Sequence, residues 1–97
     1  MGISRSTVSG AQFALAVSSA AVTLTVPAAA NVAEIYVRGF PVVFTRDGTT
    51  PTATKGFQAN VDDMIKLNST DELDQFKVIR QSSDATLDVE YFTDLAG

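Results

Sequence analysis

The stretch Ala85–Phe92 alternates as far as Tyr91: Ala85, Leu87, Val89 and Tyr91 are apolar or aromatic, with Thr86, Asp88 and Glu90 between them and Phe92 following on the outward face. A period of two is the signature of a half-buried strand, because successive side chains point to opposite sheet faces. The same pattern recurs in short runs along the chain. Phe13, Leu15 and Val17 share one face of a strand over about 12–17. Val22, Leu24 and Val26 alternate with threonine over 22–26, ended by Pro27, which cannot donate to a ladder. Ala33, Ile35 and Val37 point one way over 33–38, with Glu34, Tyr36 and Arg38 on the other face. Shorter runs cover 42–45, 57–59, 64–67 and 76–81. Turn residues fall between them every few positions. That spacing predicts an all-β fold: an antiparallel β-sandwich or small barrel of seven to eight short strands. At most one short helical turn is expected, where Ser69 and Glu72 have the spacing of a capping box.

Size sets the next constraint. At 97 residues the chain makes one domain. A domain of this size buries only about 60–65% of the surface its unfolded chain exposes, so the core is thin. Thin cores are often supported by disulfides, metals or oligomerisation. There is no cysteine and no histidine, so disulfides and thiolate or imidazole metal sites are excluded. A homo-oligomer, dimer or trimer, is the support that is left. We expect no cofactor. The formal charge is −4 and the seven basic residues are scattered. Nucleic acid and anionic membranes both select basic faces, so neither is an expected partner.

The N-terminal region carries three misleading signals. Arg5, the apolar run from Phe13 and Ala28-Ala29-Ala30 imitate a secretory leader. Ser18-Ser19 breaks that run, and the two-residue alternation after it belongs to a strand. Met1-Gly2 with Ser6 matches a myristoylation pattern only loosely. Asn68-Ser69-Thr70 is a sequon that reads as loop chemistry. Residues 1–10 are rich in Ser, Thr and Gly and read as a flexible arm, with the domain proper over 11–97.

Candidate chemistry is sparse. Asp88 and Glu90 fall on one strand face about 7 Å apart, a separation that decides little; the face they share is the polar face of an amphipathic strand and reads as solvated charge. Asp47, Asp62 and Asp63 are oxygen donors without EF-hand spacing and read as turn formers. Tyr36, Phe40, Phe57 and Phe92 are the candidate exposed aromatics. They fit a protein contact better than a sugar platform. The segment Val42–Phe57 combines a strand, an Asp47-Gly48 turn, a Thr-rich loop with Pro51, and a return at Lys55-Gly56-Phe57. A polar loop of that length without catalytic groups is expected to meet a partner.

Several stretches carry a resemblance. They are Leu24–Pro27, Ala30–Ala33, Ile35–Val37 with Gly39, Pro41–Phe44, Asp47–Thr52 leading to Lys55–Phe57, and Ala85–Tyr91. Over about residues 20–92 the chain resembles small β-sandwich virion proteins of tailed bacteriophages, of the capsid decoration (cement) or head–tail accessory type. The resemblance implies a non-enzymatic structural protein on the phage particle surface. It would bind the major capsid protein or other virion proteins as a homo-oligomer. It implies two contact elements: the arm, through Ile3, Arg5 and Val8, and the loop, through Arg46, Asp47, Thr50, Pro51 and Lys55. A tail or fibre accessory domain, with or without a glycan ligand, and a secreted carbohydrate-binding module are the alternatives.

Overall fold

The computed structural model describes residues 6–94. In chain order they form β1 (Ser6–Val17), β2 (Val32–Arg38), β3 (Val42–Thr45), β4 (Phe57–Ala59), β5 (Met64–Leu67), helix α1 (Thr70–Gln75), β6 (Lys77–Arg80) and β7 (Ala85–Asp94). The strands lie in two antiparallel sheets. One has the order β1-β7-β2-β5 and the other β4-β3-β6. This is the expected all-β sandwich, and its sheets are not closed into a barrel.

Alternation builds the core as anticipated. Ala33, Ile35 and Val37 of β2, Ile65 and Leu67 of β5, and Ala85, Leu87, Val89 and Tyr91 of β7 are all buried. They meet Val42, Phe44, Ala59 and Val78 of the second sheet. Phe44 stacks on Phe76 with ring centroids 5.8 Å apart. Fully burying one such side chain contributes roughly 1.5–3 kcal/mol. The capping residue also acts as foreseen: the Glu72 amide donates to Ser69 Oγ at 3.2 Å. The Glu72 carboxylate in turn accepts from the Asn68 amide at 2.8 Å. One turn and a half of helix then buries Leu73.

Three expectations are corrected. Residues 6–10 are not an arm but the start of β1. Ser6 pairs with Asp94, Thr7 with Thr93, Val8 with Phe92 and Gly10 with Tyr91, so residues 6–10 belong to the folded domain. An edge strand is held by backbone hydrogen bonds to one neighbour, which Ser, Thr and Gly supply as well as any residue. Residues 1–5 lie outside the described residues. Second, Phe13 does not share a face with Leu15 and Val17. Gln12 pairs with Val89 and Leu15 with Leu87, so Phe13 and Ala14 together oppose the single residue Asp88. Ala14 takes a positive φ of 55° in this bulge. Val17 stays buried, while Phe13 turns out and is 76% exposed.

Third, residues 22–26 are not a strand of either sheet. Only Val22 bridges to Val78, with N···O distances of 2.9 and 3.1 Å. Val22, Leu24 and Val26 still pack on the core. The segment plugs the open side of the sandwich, and the Gln12 side chain meets it by accepting from the Thr25 amide at 3.4 Å.

The loop after β3 is folded against the second sheet. Val43 points away from the main core, yet is only 3% exposed, and Pro51 is fully buried. Thr52 and Lys55 close a turn through reciprocal backbone bonds of 3.0 and 3.2 Å. The Thr45 hydroxyl donates to the Thr49 carbonyl. Gly56 makes this possible. Its φ is +132°, and a Cβ there would lie 2.7 Å from Val43 Cγ1 and 2.9 Å from the Phe44 carbonyl oxygen. Gly48 also has positive φ, +86°, but meets only the end of the Gln75 side chain. Gly56→Ala is therefore expected to lose about 3 kcal/mol of stability, from backbone strain plus overpacking. Gly48→Ala is expected to lose about 1 kcal/mol. Urea unfolding of the two variants checks the order; equal losses would mean that Gly56 is not wedged under the loop.

Candidate interaction surface

The outward face of the four-stranded sheet is built from the residues between the core positions. Pairing registers arrange them in rows across the strands. Phe13 and Ala14 of β1 sit beside Asp88 of β7, which pairs with Tyr36 of β2, which pairs with Met64 of β5. One step along, Ala11 pairs with Glu90, Glu90 with Glu34, and Glu34 with Lys66. On the opposite side of the Tyr36 row, Ala16 pairs with Thr86 and Thr86 with Arg38. Neighbouring rows are about 7 Å apart and neighbouring strands about 4.8 Å. Phe13, Tyr36 and Met64 are 76%, 42% and 46% exposed. Three large apolar side chains in one row on a sheet face are more than scattered surface hydrophobics, and such patches mark contact sites.

Asp88 is the polar centre of this row. The Ala14 amide donates to one of its oxygens at 2.9 Å, and Arg38 Nε meets the other at 2.5 Å. The Ala14 amide, freed from the ladder by the bulge, holds the Asp88 carboxyl below the usual carboxylate range, and Arg38 adds to the effect. So the carboxylate that fixes the bulge also fixes Phe13 in its outward position. The Asp88 and Glu90 pair lies on the solvated face foreseen from the alternation. Glu34 and Glu90, directly opposite one another, make no ion pair among the described residues.

The anticipated contact residues divide. Ile3 and Arg5 lie outside the described residues. Val8 is 56% exposed, but as a paired residue of β1, not as part of a free arm. Arg46, Asp47, Thr50 and Lys55 are exposed on the loop. Arg46 stands over the Phe44 ring, 5.9 Å from its centroid. Asp47 closes its own turn by accepting from the Thr49 amide at 3.0 Å; the Thr49 amide and hydroxyl lower its carboxyl, with a smaller effect from Lys55. Pro51 is corrected: it is buried and anchors the loop from beneath, so it offers nothing to a partner.

Sequence alternation placed Tyr36 on the outward face, and Phe92 with it. It missed Phe13, since nothing in Gln12-Phe13-Ala14 announces a bulge. Met64 could have been found, as the outward neighbour of Ile65 in a strand that buries Ile65 and Leu67. Comparison of the chain with known protein families, with curated proteins and with solved structures gives no match.

The pH dependence follows from Asp88. Its folded-state pKa is depressed, so the stability it contributes is complete above the unfolded value near 3.8 and is lost as pH falls through the folded value. The melting temperature of the wild type is expected to fall more steeply between pH 5 and pH 2 than that of Asp88→Asn (a window of about three units around the carboxylate range). Parallel acid profiles would show that the bulge does not depend on this carboxylate.

Proposed function

We propose that this chain is a non-enzymatic structural protein of a tailed-bacteriophage virion, one that decorates the capsid surface as an oligomer and has the major capsid protein as its partner. The observation that carries the reading is the distribution of contact groups over two sides of a rigid sandwich. The four-stranded sheet presents the Phe13–Tyr36–Met64 row. The loop on the other sheet presents Arg46, Thr50 and Lys55 on a framework closed by Thr52 and Lys55. A lattice-binding protein needs two contacts, one to the shell and one to its own kind. Each can be weak, because many copies bound together raise the apparent affinity. The resemblance of the strand and turn pattern over residues 20–92 supports the phage assignment.

The loop is the proposed capsid contact. Its two cations are held on a folded knob, so little ordering entropy is lost on binding. Quantitative mass spectrometry of purified particles, scaled to the major capsid protein, tests the reading. Hundreds of copies per particle are expected. About six or a dozen, in keeping with the symmetry of tail parts, would move the protein to the tail, and complete absence would overturn the virion reading. Arg46→Glu with Lys55→Glu is expected to lower particle occupancy at least tenfold while the melting temperature stays within a few degrees, as both side chains are on the surface.

A further inference from the structure

We propose that two copies of this chain pack face to face through the outward surface of the four-stranded sheet, about a two-fold axis lying along the Asp88–Tyr36–Met64 row. The proposal takes the oligomeric reading above and names the surface and symmetry that make the oligomer.

The argument rests on how charge is distributed about that row. A two-fold rotation about an axis in the plane of the face reverses the strand direction and leaves the strand order unchanged. Tyr36 then meets its own equivalent, and Met64 likewise. A residue two positions before Tyr36 on β2 meets the residue two positions after it in the other copy. Those residues are Glu34 and Arg38. On β7 the same operation sets Glu90 over Thr86 of the second copy. The acidic row therefore lands on the row that holds Arg38, twice by symmetry. An isologous interface has to be self-complementary in this way.

The charges available make the pairing productive. Glu34 lies between Glu90 and Lys66 in its own sheet, and like charges directly opposite on a sheet are unfavourable. Arg38 of a second copy would relieve the Glu34–Glu90 repulsion. Within one copy Glu34 and Arg38 are four residues apart on a strand, about 13 Å, too far to pair with each other. Asp88 would approach its own equivalent near the axis. Its charge is already compensated in its own copy by Arg38 and the Ala14 amide, so it does not oppose the contact strongly. The apolar centre is supplied by Phe13, Tyr36 and Met64, and stacked sheets pack about 10 Å apart with aligned strands.

The area sets the strength. Four strands about 4.8 Å apart and seven residues long span roughly 19 by 23 Å. That is smaller than the usual 800 Å² or so per partner of a stable interface. The dimer is expected to dissociate in the micromolar range and to be favoured where copies are concentrated, as on a lattice.

Sedimentation equilibrium of the full chain, from about 1 μM to 1 mM, tests this. A monomer–dimer equilibrium is expected. Tyr36→Glu should weaken it at least tenfold, with the far-UV spectrum and melting temperature retained because the side chain is on the surface. The charge swap is the sharper test. Glu34→Arg alone and Arg38→Glu alone should each weaken the dimer, and the double variant should recover most of the loss, since position 34 meets position 38 only in the other copy. A chain that stays monomeric to 1 mM overturns the proposal. So does a dimer indifferent to Tyr36→Glu, or single charge variants whose losses simply add. Particle copy number is a separate readout. A monomeric chain present in hundreds of copies would overturn the dimer and leave the place on the capsid surface standing; a dimer absent from particles would do the reverse.

Discussion

β7 is hydrogen-bonded on both sides, to β1 through nine residue pairs and to β2 through seven, and it is the only strand of its sheet that sends four consecutive inward residues, Ala85, Leu87, Val89 and Tyr91, into the core. Everything on the outward face takes its position from that strand. The register with β2 places Asp88 beside Tyr36, and the register with β5 through β2 brings Met64 into the same row. A one-residue slip would exchange the whole buried set for the charged one, a cost that a thin core could not meet. Burial on one side of the sheet thus fixes the geometry of the other.

The bulge in β1 is the point at which this order is used rather than merely obeyed. Two residues stand against one, Ala14 takes a left-handed conformation, and the amide this frees finds Asp88. The cost of that backbone conformation, of the order of 1 kcal/mol, is offset by a charge-assisted hydrogen bond and by the Arg38 contact. The consequence is that Phe13 leaves the core and becomes the most exposed large hydrophobic residue among those described. Bulges also blunt an edge against indiscriminate strand pairing. The same distortion that closes the edge to other strands makes the face available to a partner.

Strict alternation made most of the fold legible. Ala33–Arg38 and Ala85–Phe92 carry their inward and outward sets in plain view, and the Ser69 and Glu72 spacing gave the helix. What could not be read was structure made by contacts distant in sequence. Val22–Val26 alternates as well as any strand, yet it lies as a plug, because β6 offers only Val78 to it and the Gln12 side chain holds it from the other side. Ser6–Gly10 has no alternation, yet it pairs, because the end of β7 extends past the core and supplies partners. Pro51 counts among the contact residues expected of the polar loop, yet it is buried, and the loop that holds it lies over the hydrophobic Val43 on the outer side of its sheet. Of the candidate surface, Tyr36 and Phe92 were visible and the Phe13–Asp88–Arg38 cluster was not, since it exists only once the bulge does.

The two outer sides of the sandwich have been finished differently. On the three-stranded sheet the chain spends eleven residues, 46–56, to cover Val43, and Gly56 is required for the fit. On the four-stranded sheet no segment among the described residues covers the Tyr36 row. A chain able to fold a loop over one sheet had the means to shield the other. The uncovered row carries Phe13, Tyr36 and Met64 about the paired Asp88 carboxylate, with Glu34 and Glu90 on one flank and Arg38 on the other. A second copy of the same surface, as proposed, would satisfy that arrangement and would supply burial to a domain that has neither disulfide nor histidine-bound metal to support its small core.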